Sequence, residues 1–245
     1  MMRKYDAARI QLLSVEALRA LKRFMSSREL LALFEEGGLK LSSVDMSRYV
    51  TGSVLPRPGR ALDMLRLLAV KNVLGEVLAR AVVVDERGVV NVARVAYDMD
   101  VLRLAAARAF IEFLNLGIEK VLTAAVNGVP LAVAVAGALG ADLCVARQEA
   151  DASASSYVEV KYFAPDPPRY AHLYMPSFML SKGDRVLVVD DLLQSGRTLR
   201  ALVRIATARR AVVVAIFSLL AIGDVWRGSI PPSTVRVVIG KRIER

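Results

Sequence analysis

Two adjacent carboxylates, Asp190 and Asp191, close a saturated β run, Val186–Val189. After two apolar residues comes the polar stretch Gln194-Ser195-Gly196-Arg197-Thr198, which leads directly into a helical pattern. This order sets a loop of backbone N–H groups, two hydroxyls and a helix N-terminus at the carboxyl end of a buried strand. Aligned N–H dipoles and a helix start both favour an anion, so the loop suits a phosphate group. The paired aspartates suit the two hydroxyls of a ribose, or a magnesium ion held through them. A sugar carrying a 5′-phosphate satisfies both halves. The competing reading is a strand–turn–helix of another doubly wound protein, with the aspartates as a solvated strand end.

The stretch Val186–Leu199, VLVVDDLLQSGRTL, resembles the phosphoribosyl-pyrophosphate (PRPP) motif of type I phosphoribosyltransferases. That motif is a hydrophobic strand, two acidic residues, three variable residues and Ser/Thr-Gly-x-Thr. Its fixed positions are met by Asp190, Asp191, Ser195, Gly196 and Thr198. The resemblance implies PRPP binding by Asp190, Asp191, Gln194, Ser195, Gly196, Arg197 and Thr198. It also implies Mg²⁺ reaching the aspartates indirectly, through the ribose hydroxyls. By the same resemblance the loop Val126-Asn127-Gly128 contacts pyrophosphate through backbone N–H groups, with Gly128 allowing close approach. Arg147 corresponds to a position that often faces pyrophosphate, although a surface strand-end arginine is nearly as good a reading. Glu149–His172 corresponds to the loop that closes over substrate in the family. Ser153–Ser156 and Pro165–Pro168 read as irregular chain, with Tyr157–Phe163 as a strand. Its only cations are Lys161, Arg169 and the lone His172, which reads as structural, so no residue is assigned a catalytic role.

These groups need a sheet to hold them. The strands Lys120–Ala125, Asp142–Ala146, Val186–Val189 and Ala211–Leu219 alternate with the helices Val101–Leu114, Pro130–Leu139 and Thr198–Arg209. Alternation of this kind predicts a parallel sheet with helices on both faces, and ligands outside the carboxyl ends of its strands. Ala81–Val84, a DERG turn and Val89–Val92 read as a hairpin. A base-recognition hood is expected around Ala221–Trp226, where no base-specific residue is identified. Cys144 reads as a small core residue on a strand, and a single cysteine allows no internal disulfide.

Upstream, the chain reads as short helices. Leu12, Leu13, Leu18, Leu21 and Met25 mark the first. Ser26 with Glu29 is a capping box opening a second, which carries Leu30, Leu31, Leu33 and Phe34 and ends in the turn Glu35–Gly38. Ser42 with Asp45 opens the short helix Ser43–Val50, which ends at Thr51-Gly52. A proline-punctuated link precedes a helix over Ala61–Val70. This is a helix-turn-helix plan, and SSVDMSRYVTGSVLPRPGRA resembles the recognition helix and following segment of Cro-like regulators. Met46, Tyr49 and Val50 then face inward. Ser43, Ser47 and Arg48 face base edges or phosphates, with Arg57 and Arg60 near the DNA backbone. A small helical oligomerisation unit is the competing reading.

The chain has 245 residues and a net charge of +10. Residues 1–75 hold 13 Lys/Arg against 7 Asp/Glu, a basic balance of the kind that nucleic-acid binding uses. A mean hydropathy of +0.41 invites a membrane reading. Its one long uncharged run, Val121–Ala141, is broken by Asn127, Gly128, Pro130, Gly137 and Gly140, so no span is expected. The amino-terminal residues lack an apolar signal core, and a cytoplasmic setting is expected. The expected fold is therefore α/β: a type I phosphoribosyltransferase parallel sheet (76–245) preceded by a small all-α helix-turn-helix domain (1–75). The whole resembles archaeal regulators that fuse a helix-turn-helix to an orotate-phosphoribosyltransferase-like domain. This implies a dimeric, double-stranded-DNA-binding transcription regulator sensing PRPP or a nucleotide. Two alternatives stay open. One is an active PRPP-dependent phosphoribosyltransferase; the other is an RNA-binding regulator, since SGRT resembles a loop of the pyrimidine attenuation regulators.

Overall fold

In the computed structural model, which describes residues 4–86, 89–165 and 168–244, the chain opens with α1 (Lys4–Leu21), α2 (Ser27–Glu36), α3 (Ser43–Thr51), α4 (Pro58–Val70) and α5 (Val73–Ala81). The capping box at Ser26 is formed in both directions: Ser26 Oγ accepts from the Glu29 N–H, and the Glu29 carboxylate accepts from the Ser26 N–H. Ser42 accepts from the Asp45 N–H at 3.0 Å, and Gly52, with φ +76°, closes α3 in the left-handed region. Pro58 starts α4 three residues before the expected Ala61, where a missing N–H costs nothing. The first helix begins earlier than its leucines suggest and ends at Leu21. It buries Ile10, Leu13, Ala17, Leu18 and Leu21, whereas Leu12 faces solvent.

The expected hairpin after Arg80 is present only in shortened form. Helix α5 continues to Ala81, and beyond it an antiparallel bridge joins Val84 to Val90, flanked by the Asp85 N–H donating to the Val89 carbonyl and the Asn91 N–H to the Val83 carbonyl, each at 3.0 Å. Arg87 and Gly88 of its turn lie outside the described residues, as do Asp166 and Pro167 of the proline cluster. A single turn, α6 (Ala93–Ala96), then leads to α7 (Met99–Phe113), capped by Asp98.

The α/β unit follows: β1 (Lys120–Ala124), α8 (Gly128–Leu139), β2 (Asp142–Ala146), the hairpin β3 (Tyr157–Pro165) and β4 (Pro168–Pro176), β5 (Arg185–Leu193), α9 (Arg197–Ala208), β6 (Val212–Ile222) and β7 (Arg236–Ile243). Five of these strands form one parallel sheet in the order β2-β1-β5-β6-β7. The expected parallel sheet with helices on both faces is present. Along β5, Leu187 and Val189 face the core under α7 and α8, while Val186 and Val188 face α9 and the hairpin, as strand alternation requires. The run Val121–Ala141 resolves into a buried strand, a loop and a helix. No described helix is long and apolar enough to cross a membrane.

The substrate-loop region is more regular than its composition suggests. Among the described residues of this region only 148–156 is irregular: Arg147 bridges Tyr174, and Tyr157–Pro165 pairs antiparallel with Pro168–Pro176. The first helices are not a separate globule. Ile10, Leu18, Leu21, Met46, Tyr49 and Leu65 belong to the same buried cluster as Ala105, Phe113, Val135 and Phe217.

Candidate functional site

The carboxylate pair sits inside β5 rather than after it, because the strand continues past Val189 to Leu193. Asp190 pairs in register with Ser218 of β6 and is only 7% exposed. Its Oδ1 accepts the Asp191 backbone N–H at 3.1 Å. Burial, then the neighbouring Asp191 charge, pushes the Asp190 carboxyl well above the usual carboxylate range. A carboxyl held this way gains from any donor a ligand brings, which is how hydroxyls of a sugar would be recognised. Asp191 is half-buried beside it.

Asp190, Leu192 and the loop Gln194 to Thr198 line a cleft of about 170 Å³. Gly196 precedes α9 with φ +72°, and a Cβ there would stand 2.6 Å from Ser229 Oγ and 2.8 Å from the Trp226 Cα. Only glycine fits between the loop and the short helical turn Val225–Ser229. The N-cap Gly196 offers α9 no side chain, and the Arg197 N–H reaches Ser195 Oγ only at 3.5 Å, so the helix start lines the cleft with its first-turn donors nearly unsatisfied. Asp190 and Gln194 to Thr198 are thus brought to one cleft, whereas Asp191, the next residue on the strand, does not line it.

Across β1 lies the second loop. The Ala125–Val126 peptide is cis, and α8 begins at Gly128, two residues before the expected Pro130. A Cβ on Gly128 would lie 2.5 Å from Thr123 Oγ1 and 3.5 Å from Asp190 Oδ1, so this glycine lets the loop close onto the aspartate. Ala125, Val126 and Arg147–Asp151 line a cleft of about 420 Å³. Arg147 is present there but not free: it pairs with Asp151 at 2.6 Å. Hydrogen bonds from the Ser153 side chain, the Ser153 N–H and the Tyr157 hydroxyl, in that order and more than Arg147, keep the Asp151 pKa well below the ordinary value. Two roomier clefts, of about 500 and 580 Å³, lie beside α1 and α7 and along the β7 edge. Neither opens on the strand–helix junction that carries the anion donors, so volume does not locate the site.

Two of the three hairpin cations, Lys161 and His172, are engaged elsewhere. Lys161 lies 3.9 Å over the Tyr170 ring, and His172 Nδ1 is 2.6 Å from Glu159 Oε1, which also accepts from the Tyr174 hydroxyl. Among the described residues no group of three or more His, Cys, Asp or Glu could hold a metal by itself.

On the N-terminal helices, Ser43, Ser47 and Arg48 are exposed along one side of α3, while Met46 and Tyr49 are buried. Arg48 and Arg57 have no side-chain partner among the described residues. Arg60 does: its guanidinium donates to the Lys40 carbonyl and ties α4 to the segment before α3. Sequence reasoning missed Tyr97, whose hydroxyl donates to Asn127 Oδ1 at 2.9 Å across 30 residues. It also missed Asp151 and the Ser229 contact. Each is a long-range or loop pairing with no periodic signature.

Residues 84–228 match the family described as "Phosphoribosyl transferase domain". Over 92 residues the chain is 34% identical to a probable purine biosynthesis transcriptional regulator of Streptococcus pneumoniae, covering 37% of this chain and 34% of that one. Over 130 residues it is 29% identical to a hypoxanthine/guanine phosphoribosyltransferase of Methanococcus voltae, covering 52% and 65%. The match thus spans about a third of the regulator's length. An adenine phosphoribosyltransferase from Rhodothermus marinus superposes with a TM-score of 0.61 at 22% identity, over 70% of this chain and 99% of that one. That likeness is one of fold.

Proposed function

The chain belongs to the phosphoribosyl transferase domain family, and from that membership we propose that it is a DNA-binding transcription regulator that senses PRPP or a nucleotide. In this proposal residues 1–75 bind double-stranded DNA as a helix-turn-helix unit and residues 76–245 bind the effector, in a cytoplasmic homodimer. The observation that carries it is the outer side of α3. Ser43, Ser47 and Arg48, the last without a side-chain partner among the described residues, are exposed on a helix that buries Met46 and Tyr49. The likeness to a purine regulator supports the same reading. So does the hairpin, whose Lys161 and His172 are already engaged with Tyr170 and Glu159.

The effector's ribose hydroxyls meet Asp190 and Asp191, and its 5′-phosphate meets the N–H groups at Gly196–Thr198. The pyrophosphate lies at Val126–Gly128, with Arg147 beside it. Mg²⁺ fits this donor set only indirectly, because two adjacent carboxylates are too few for a protein-held octahedral site. Asp190 and Asp191 would hold a hydrated ion through the ribose hydroxyls, and it would supply positive charge to offset the pyrophosphate.

Fluorescence anisotropy on promoter DNA tests the reading. Arg48→Ala should weaken specific binding by about 1–3 kcal/mol, whereas Arg57→Ala should weaken all sequences alike and flatten the salt dependence. Increasing PRPP should shift the wild-type isotherm. If DNA binding is indifferent to Arg48→Ala and to PRPP, the regulator is rejected. The similarity to a hypoxanthine/guanine phosphoribosyltransferase favours a second reading, a working transferase. Base-dependent pyrophosphate release at about 1–10³ s⁻¹ would establish that one instead.

A further inference from the structure

Two consecutive residues touch both halves of the molecule. Tyr97 ends α6, and its hydroxyl donates to Asn127 Oδ1 at 2.9 Å. Asn127 lies in the loop between β1 and α8, and its Nδ2 has no partner among the described residues. By occupying the amide oxygen, Tyr97 leaves the amide hydrogens as the donors available to an anion. Asp98 follows directly, with its side chain 10% exposed. One of its oxygens caps α7 by accepting from the N–H groups of Asp100 and Val101. The other pairs with Arg23 at 2.7 Å.

Arg23 lies in the turn between α1 and α2, which Arg80 also holds by donating to the Phe24 carbonyl at 3.0 Å. Four residues earlier, Arg19 donates from Nε to the Val50 carbonyl, at the end of α3, at 2.6 Å. Side-chain contacts thus join the anion loop to Tyr97, Asp98 to the turn after α1, and Arg19 to the end of α3; the chain itself joins Tyr97 to Asp98 and Arg23 to Arg19.

We infer that Tyr97 and Asp98 form a joint that orients Asn127 toward a bound pyrophosphate or phosphate and passes occupancy of that loop to α1 and α3 through Arg23. This rests on the proposed reading of loop and helices as effector and DNA sites. An anion that draws on the Asn127 amide moves its oxygen relative to the Tyr97 hydroxyl. Because Asp98 is the next residue, a shift there alters the Arg23 pair. Tyr97 and Arg23 are positioning residues, since neither touches the ligand. Coupling across such a path must be reciprocal, so DNA must change PRPP affinity by the same factor.

The test uses the full chain with Mg²⁺-PRPP and promoter DNA, and compares wild type with Tyr97→Phe, Arg23→Gln and Arg23→Lys. Calorimetry should find PRPP binding weakened about 3- to 10-fold in Tyr97→Phe, the loss expected for one hydrogen bond, and unchanged in both Arg23 variants. Anisotropy should find ligand-free DNA affinity unchanged in Arg23→Gln while the PRPP effect on it falls to within about twofold of none. A working coupling is typically about 5- to 150-fold. Arg23→Lys, which keeps the charge opposite Asp98, should restore it. Hydrogen exchange without DNA supplies the independent readout. PRPP should alter protection of the amides at 22–26 in wild type and not in Tyr97→Phe. If wild type shows the DNA effect and the exchange change and all variants retain both, the joint is wrong while the regulator stands. If DNA never binds but the exchange change is present and lost in Tyr97→Phe, the joint stands and the regulator falls. Absence of PRPP binding in wild type overturns both.

Discussion

At Asp190 the demands of folding and of binding oppose each other, because a carboxyl 7% exposed and adjacent to Asp191 is costly to ionise. Its pKa is raised in the folded state, so in the window above the ordinary carboxylate value near ~3.9 the folded chain binds more protons than the unfolded one. Stability must therefore fall as pH rises from that value through the folded pKa. Asp190→Asn removes this slope. It should melt higher than wild type at neutral pH, by about 2–4 °C for each kcal/mol relieved in a chain of this size. The same variant should bind Mg²⁺-PRPP more weakly, by roughly 1.5–3 kcal/mol, as a charge-assisted acceptor is lost. Calorimetry and thermal melts from pH 4 to 8 check both signs; a less stable variant with intact binding contradicts the assignment. Cys144 gives a simpler case. Burial pushes its thiol up to about 11, and it donates to the Met179 carbonyl, so it should resist thiol reagents until the chain unfolds. Labelling under native conditions would show that β2 opens.

Among the elements, the segment after β2 most needs a test, since Arg147 can serve an anion only by leaving Asp151. Asp151→Asn keeps an acceptor for the Ser153 N–H and Tyr157 hydroxyl but drops the charge facing Arg147. Inorganic pyrophosphate should then bind more tightly, by no more than about fivefold for a pair this exposed. Unchanged affinity would remove Arg147 from the site. Elements were legible in the sequence where the signal is local. The Ser26–Glu29 and Ser42–Asp45 caps mark the starts of α2 and α3, and the β5–α9 motif brings Asp190 and Gln194–Thr198 to one cleft. Legibility failed where partners are distant. The valines of 81–84 and 89–92 have strand propensity, yet α5 packs on β7 and carries the helix to Ala81. Prolines at 165 and 168 suggested irregular chain, but β3–β4 pairing holds right up to them. The Arg60–Lys40 link and the Tyr97–Asn127 bond span 20 and 30 residues and have no spacing rule at all.

At the scale of the molecule, the boundary near residue 75 divides the proposed roles but not the hydrophobic core. Ala17, Leu18 and Leu21 of α1 are fully buried in the cluster that holds Ala105 and Phe113 of α7. Leu18→Ala should cost about 2–5 kcal/mol and lower a single unfolding transition rather than one of two. Residues 76–245 alone should aggregate or lose their cooperative melt, because α7 would expose the surface that α1 covers. A soluble, PRPP-binding fragment of that length would show the α/β unit to be self-sufficient.

The continuity of α1 and α7 also restricts how such a protein can be rebuilt. Modular design treats a sensor and a reader as cassettes joined at a flexible seam, and here the seam is a packed helix surface. A chimera carrying a relative's first 75 residues would have to fit against α7, whose buried residues include the small Ala105, Ala106 and Ala109. Exchange between relatives would succeed when α1 travels with the recipient and the cut falls after it, in the turn at Arg23.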